Sequence, residues 1–492
     1  MFLKAGAVSL ALLLASRVLG MVRESALAAA FGTSGMADVV VLMLTLPDWL
    51  AGLVASGALA YVLVPSWARQ SSAAVQTTER RVATWVLAAG GILAVFLVLF
   101  RFPASDWLAA GLPKTLRGEA AGALVWSSIA LPAALLAALW TTRLQHERDF
   151  PGLYGANLVV NVTLILAIGI VGSDAVAGAS VYWLGLGLLL AMSLRLGWLW
   201  IRRERHRDGL ASSATGAGAS LPAFPIWLWA ALSAGLPLTL PFAARSIASQ
   251  GGEGVLATFN YAWKLVELPL LLAIQLVATL AFPAIAKAFA DRSSLSHQQL
   301  AAPLRSAFAL AWVLGCAAAA ALLVGAPALA DLLFGWGRMD ARSLARVSQW
   351  GATAAWGLLP QALIAVALTV LAAQARMKAV VAAYGAAFAV LMGAALVGVQ
   401  DGALLMWLLN ALFAAVAVAV VAALGPQARN WLPWKTMLMA LSGLLGVFAL
   451  GWMGGAGTLQ GAAGLAAAGL AAGGVLGVTW LGSTELRQAL RR

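Results

Sequence analysis

Charge is scarce in this chain: Asp, Glu, Lys and Arg make up 10% of its 492 residues, against 62% that are hydrophobic. With a mean hydropathy of +0.92, that balance excludes a soluble multidomain enzyme, in which about a quarter of the residues would be charged. A single cysteine, Cys316, has no partner for an intrachain disulfide. The three histidines, His146, His206 and His297, stand far apart, so no metal cluster is legible and no cofactor is expected. No P-loop is present, which argues against an ATP-driven pump, and Gly185-Leu-Gly187 lies in an apolar run without the preceding strand of a nucleotide fingerprint.

What the chain has instead is long apolar runs. A spanning helix needs about 20 apolar residues, and fourteen such stretches are expected, at 5–30, 37–65, 82–102, 118–142, 151–172, 176–201, 223–250, 254–286, 302–329, 343–375, 379–398, 402–424, 434–454 and 460–482. The runs are apolar on every face, whereas barrel strands would alternate in segments of about 10 residues. The expected fold is therefore an all-α polytopic membrane protein.

The formal charge of +13 would suggest nucleic acid in a soluble protein, but here the positive-inside rule accounts for it, and no nucleic-acid partner is expected. With the N-terminus inside, 20 of the 31 basic residues fall in cytoplasmic segments and six, including Lys114, Arg117 and Arg338, on the other side. Both termini are thus expected in the cytoplasm. Lys4 and the small residues Ala28 to Ala30 give the first run some likeness to a signal peptide, but Arg17 and Arg23 interrupt its apolar core. Many of the 21 tryptophans, among them Trp67, Trp107, Trp336 and Trp434, fall at run ends as an interfacial belt.

The most polar interruption, Ile201 to Pro225, joins a basic run to a Ser/Gly/Ala-rich stretch and reads as a cytoplasmic linker. It divides the chain into an N-terminal six-helix lobe (1–201), a linker (202–222), a second six-helix lobe (223–424) and two further helices with a tail (425–492). A repeat supports the division. TLPDWLAGLVASGALAYVLVP (Thr45 to Pro65) resembles ELPLLLAIQLVATLAFP (Glu267 to Pro283), and Asp38 and Asn260 each stand nine residues before the first proline of their pair. Parallel repeats suggest two pseudo-symmetric bundles facing a central cavity, and Pro47 and Pro269 each remove an intrahelical hydrogen bond.

Ionised residues deep in such runs are costly, roughly 2.5 to 3.5 kcal/mol each on insertion scales, and mark polar pathways. Arg17, Arg23 and Glu24 lie in the first run, Asp38 and Asp48 in the second, Arg245 in the seventh, and Lys264 and Glu267 in the eighth. Helical phase puts Arg17 and Glu24 on one face with Arg23 about 120° away, and gathers Asn260, Lys264 and Glu267 within about 60°. Lys264 with Glu267, and Arg17 with Glu24, could be no more than packing ion pairs. In the functional reading, Arg17, Arg23 and Lys264 bind a phosphate-bearing substrate, since guanidinium and ammonium groups suit phosphate oxygens. Glu24, Asp38, Asn260 and Glu267 then orient or gate those cations. Asp48 has no obvious local partner, and Arg245 could equally snorkel to the interface.

SRVLGMVRESALAAAFG (Ser16 to Gly32), GMADVV (Gly35 to Val40) and LPDWLAGLVASGALAYVLVP (Leu46 to Pro65) resemble, in order and spacing, the N-terminal signature of the MurJ/MviN family of lipid II flippases, in the MOP exporter superfamily. RDFPGLYGANLVVN (Arg148 to Asn161), NYAWKLVELP (Asn260 to Pro269) and LLFGWGRMDARSL (Leu332 to Leu344) echo it further. The resemblance implies a transporter, not an enzyme. Its substrate would be the undecaprenyl-pyrophosphate-linked peptidoglycan precursor, moved between leaflets of the bacterial inner membrane through a cationic cavity between two six-helix lobes. It implies a lipid-linked glycan as substrate, membrane lipids and cell-wall synthesis proteins as partners, and roles in peptidoglycan synthesis and cell shape. The family's two N-terminal arginines correspond to Arg17 and Arg23, its second-helix aspartate to Asp38, its eighth-helix arginine to Lys264 and the following glutamate to Glu267.

The sequence also departs from that pattern. An arginine pair of the family is replaced by Ala51 and Gly52, its asparagine by Asp48, and the glutamate of its Glu-Gly-Ala by Ser56. Residues 223–250 contain no acid, so sodium coupling does not carry over. A flippase for another undecaprenyl-linked glycan, such as an O-antigen or exopolysaccharide unit, is the alternative. A cation-coupled drug exporter would favour acids and aromatics in its cavity, and a non-transporting scaffold would need no charge at mid-membrane.

Overall fold

The computed structural model describes residues 2–54, 59–173, 179–207, 220–275, 277–278, 281, 285, 297–374, 376–455 and 459–489. Ser56, Pro283 and most of the linker (208–219) lie outside the described residues. Twelve of the described helices are long and apolar enough to cross a membrane, or thirteen if the bent pair Ala341–Ala355 and Leu358–Ala373 is one span. Ahead of them stands a 30-residue helix, Phe2–Phe31, which carries the charged residues of the first apolar run.

By contact the chain divides into Met1–Ala257 and Thr258–Arg492. In the first unit, in chain order, are α1 (Phe2–Phe31), α2 (Gly35–Leu53), α3 (Ala60–Trp67), α4 (Ser72–Leu99), α5 (Arg101–Leu108), α6 (Arg117–His146), α7 (Phe150–Gly172), α8 (Ser180–Arg207) and α9 (Phe224–Ala248). Helix α6 is the hub, packed on α2, α4, α5 and α8. Its buried face is largely small, with Ala120, Ala123, Ala130, Ala134, Ala137 and Ala138 at 1% exposure or less, and small residues let backbones approach in lipid, where no hydrophobic force drives helices together. The seventh expected run, now α9, packs on α2 and α3 of this unit. The expected 6+6 division rests on sequence repeats, whereas this boundary is one of packing.

The third expected run, now α4, starts ten residues before the expected 82. Its first turns are polar, yet they are packed: Ser71 caps α4 by accepting from Ala74 N–H, and Trp67 Nε1 donates to Thr78 Oγ1 at 2.9 Å. Composition ended the run where burial does not.

α10 (Val255–Pro269) crosses the contact boundary and runs into a wide, π-helical turn, Leu270–Ile274, directly after Pro269. Val54 and Leu59 are π-helical too, after Pro47. Wide turns of this kind accommodate a missing ladder bond and recur at functional sites. In the second unit α11 (His297–Phe334) is the hub, contacting α12 (Ala341–Ala355), α13 (Leu358–Ala373), α17 (Trp434–Met453) and α18 (Gly461–Gly482), with α14 (Met377–Leu396), α15 (Gly402–Ala423) and α16 (Ala428–Trp431) preceding the last two. At Gly325 a side chain would overlap Ala468 of α18, so the crossing of α11 and α18 at this point depends on glycine. The expected tenth span is bent by 49° between α12 and α13. Asn410 of α15 covers the break by donating Nδ2–H to the Thr353 carbonyl at 2.7 Å.

Candidate functional site

Arg23 is 8% exposed on α1, and its guanidinium is divided between two acids. Nη2 donates to Glu24 Oε1 at 2.8 Å and Nη1 to Asp48 Oδ2 of α2 at 3.1 Å. The Glu24 side chain is 4% exposed and that of Asp48 40%. Asp48 is thus the accessible acid of the two, while Glu24 is sealed in with the arginine. Trp49, next to Asp48, stacks on Phe242 of α9 with ring centroids 4.4 Å apart.

Arg17 is exposed and makes no hydrogen bond or ion pair among the described residues. The phase argument that paired it with Glu24 is therefore not the arrangement found: the acid's bond recorded here is to the adjacent Arg23. Next to Arg17, the Ser16 carbonyl accepts from Asn161 Nδ2 of α7 at 3.2 Å.

Asp38 stands apart from this group, at 1% exposure. Its Oδ2 accepts from Gly254 N–H and its Oδ1 from Ala257 N–H, both at 2.7 Å, capping α10. Glu253 returns the arrangement, accepting from Gly35 N–H at the start of α2 at 2.9 Å. Each acid thus satisfies free N–H groups at the other helix's N-terminus, where the helix dipole also favours negative charge. Gly254 has φ +77, and a Cβ there would meet the Thr33 carbonyl, so the junction requires glycine.

In the second unit Lys264 Nζ donates to Glu267 Oε2 at 2.6 Å, with side chains 23% and 29% exposed. Asn260, expected on the same arc, is buried at 3%, while the pair is half-buried. Both the packing and the functional reading of this pair expected that bond.

Depth singled out Arg245 in the sequence, whereas Glu79, Arg143, Asp149 and Arg202 did not stand out there. Arg245 does not snorkel: it is 8% exposed, Nη2 donates to Thr45 Oγ1 at 2.9 Å, and its guanidinium lies 4.9 Å from the Phe242 ring centroid. At the bundle end that carries the basic loops, Arg143 pairs with Glu147 at 2.6 Å and lies 3.9 Å from Glu79, itself 3.5 Å from Arg203. Beside it Asp149 accepts two bonds from Arg202, at 2.8 and 2.6 Å. Only the intrahelical spacing of Arg143 and Glu147 was readable in advance.

Arginines held by carboxylates inside a many-helix membrane bundle are features that a membrane transporter can carry. The fold agrees: the chain is similar to a solved inward-closed lipid II flippase MurJ (TM-score 0.73, 14% identity, 99% of this chain and 100% of that one). It is also similar, less closely, to an inward-facing multidrug resistance MATE family transporter of the MOP superfamily (TM-score 0.58, 17% identity, 87% and 96%). The family profile described as lipid II flippase MurJ matches residues 27–465, and the chain belongs to that family. The lipid II flippase MurJ of Burkholderia cenocepacia is 24% identical over 375 residues, covering 70% of this chain and 68% of its own. The protein is accordingly a multi-pass membrane transporter and not an enzyme.

Proposed function

We propose that this chain carries lipid II, the undecaprenyl-diphosphate-linked peptidoglycan precursor, from the inner to the outer leaflet by alternating access, with Arg17, Arg23 and Lys264 receiving the diphosphate. Membership of the MurJ family supports a lipid-linked substrate. The observation that carries the site is the Arg23 fork: one arm is locked to buried Glu24, the other held by an accessible carboxylate, Asp48. A diphosphate offers several acceptor oxygens with more charge than one carboxylate and can exchange with Asp48. Glu24 and Glu267 then orient Arg23 and Lys264, while Asp38 and Asn260 hold helices in place. The proposed setting is the bacterial inner membrane with both termini cytoplasmic. In this reading the moving lobes are 1–201 and 223–424, suggested by the sequence repeats, with 425–492 as accessory helices and cell-wall synthesis proteins as users of the product.

Replacement of the lipid II flippase in a depleted host tests this reading. Wild type should restore growth and Arg23→Ala, at equal membrane abundance, should not. Failure of well-expressed wild type would overturn lipid II as cargo. One feature favours a second reading: Ala51 and Gly52 bring no cation to α2 beside the acid Asp48, so its wall attracts anions weakly, as befits a flippase for a different undecaprenyl-linked glycan. In that case deletion in the native cell should abolish a surface polysaccharide and leave viability intact.

A further inference from the structure

Arg195 lies at the middle of α8, seven residues, or about 10 Å, from Arg202 at the basic end of the helix. Its Nη2 donates to Asn157 Oδ1 of α7 at 3.4 Å, a long bond to a neutral partner. Its Nε is buried and has no hydrogen-bond partner. Helix α8 also packs against α2, the helix that carries Asp48. An arginine at this depth costs several kcal/mol without compensation, and one amide oxygen does not neutralise it.

The surroundings form a seam within the first unit. Tyr154, Asn157 and Asn161 recur at helical spacing along α7, with Asn161 bonded to the residue before Arg17 and Asn157 bonded to Arg195. On this seam and beside it stand three guanidinium groups, Arg17, Arg23 and Arg195, against two carboxylates, Glu24 and Asp48. One positive charge is left over, and Asp48 is the accessible one of the two acids.

We infer that Arg195 is a substrate-contacting cation, which takes a phosphate oxygen of the lipid-linked diphosphate when that group displaces Asp48 from Arg23. The inference rests on the reading given under Proposed function. Arg23 and Arg195 then grip the anion from α1 and α8, and Asn157 orients the Arg195 fork in the empty state.

Binding of undecaprenyl diphosphate and of neutral undecaprenol to the purified full-length protein, followed by native mass spectrometry, tests it. A charge-assisted hydrogen bond lost at Arg195→Ala should weaken diphosphate binding about tenfold or more, leave undecaprenol binding unchanged, and be largely recovered in Arg195→Lys. Should Arg195→Ala fail to fold, Arg195→Gln, which keeps a bond to Asn157, should show the same selective loss. Equal diphosphate binding by the neutral variants, or parallel loss of both ligands, would overturn the role of Arg195 alone. Absence of diphosphate binding by wild type would instead overturn the reading on which it rests.

Discussion

Arg23 and Asp48 join the first two helices through one bond, Nη1 to Oδ2 at 3.1 Å, while Glu24 occupies the other arm of the same fork. The two acids differ in access, and so should their variants. Asp48→Asn keeps a hydrogen-bond acceptor but removes the charge that competes with a diphosphate, so undecaprenyl diphosphate should bind about tenfold tighter. Arg23→Ala leaves buried Glu24 without the ion paired to it here and should lower stability on the order of 3 kcal/mol as well as stop transport. Native mass spectrometry and thermal unfolding in detergent report the two effects. Weaker diphosphate binding by Asp48→Asn would contradict the exchange.

Asp38 should behave as a cap. Asp38→Ala leaves the N–H groups of Gly254 and Ala257 without these bonds, at a cost of about 1 to 2 kcal/mol, and hydrogen exchange should quicken at 254–258. Asp38→Asn, with one acceptor oxygen, should fall between. Loss of transport in Asp38→Asn with unchanged exchange would point to a direct part in moving substrate.

Asp340 caps α12 through Ser343, whose hydroxyl donates at 2.6 Å and whose N–H donates at 2.9 Å. The hydroxyl bond first, and the N–H bond with it, hold the carboxyl below its ordinary value. Because the folded pKa is lowered, the cap's contribution is fully present above the unfolded value of about 3.9 and is lost as pH falls through the folded one. Hydrogen exchange in the first turn of α12, corrected for intrinsic rates, should rise on acidification through that range in wild type, and be high and insensitive to that step in Asp340→Ala.

The 20 to 6 bias of basic residues predicts a topology that can be checked. Reporter fusions after Arg207 and at the C-terminus should read cytoplasm, and fusions near Lys114 and Arg338 periplasm. A periplasmic C-terminus would overturn the span count.

Fold class was legible because hydrocarbon imposes a length and an apolar composition on each span, and those are local properties. Lys264 with Glu267 was legible for the same reason, being three residues apart on one helix. Arg23 with Asp48 spans 25 positions and Asp38 with Gly254 spans 216. Helical phase speaks of one helix alone, so it offered Arg17 as the partner of Glu24 and left Asp48 without one. Asp38 stood out as a buried charge, but depth does not distinguish a cavity residue from a cap until the neighbouring helix end is in place. Arg195 carried no local signal beyond its depth, since what isolates its Nε is the packing of α7 against α8. The bend at Trp356 and Gly357 escaped notice although Pro360 stands just after it, where its ring crowds the Trp356 carbonyl and it offers no N–H to that oxygen.

The central claim is tested most directly by the leaflet in which lipid II resides. In cells whose only flippase is this protein, a membrane-impermeant probe should find lipid II at the outer face at wild-type levels, and Arg23→Ala at equal abundance should leave it on the inner face. Outer-face lipid II undiminished in Arg23→Ala, or absent with abundant wild-type protein, would contradict the account.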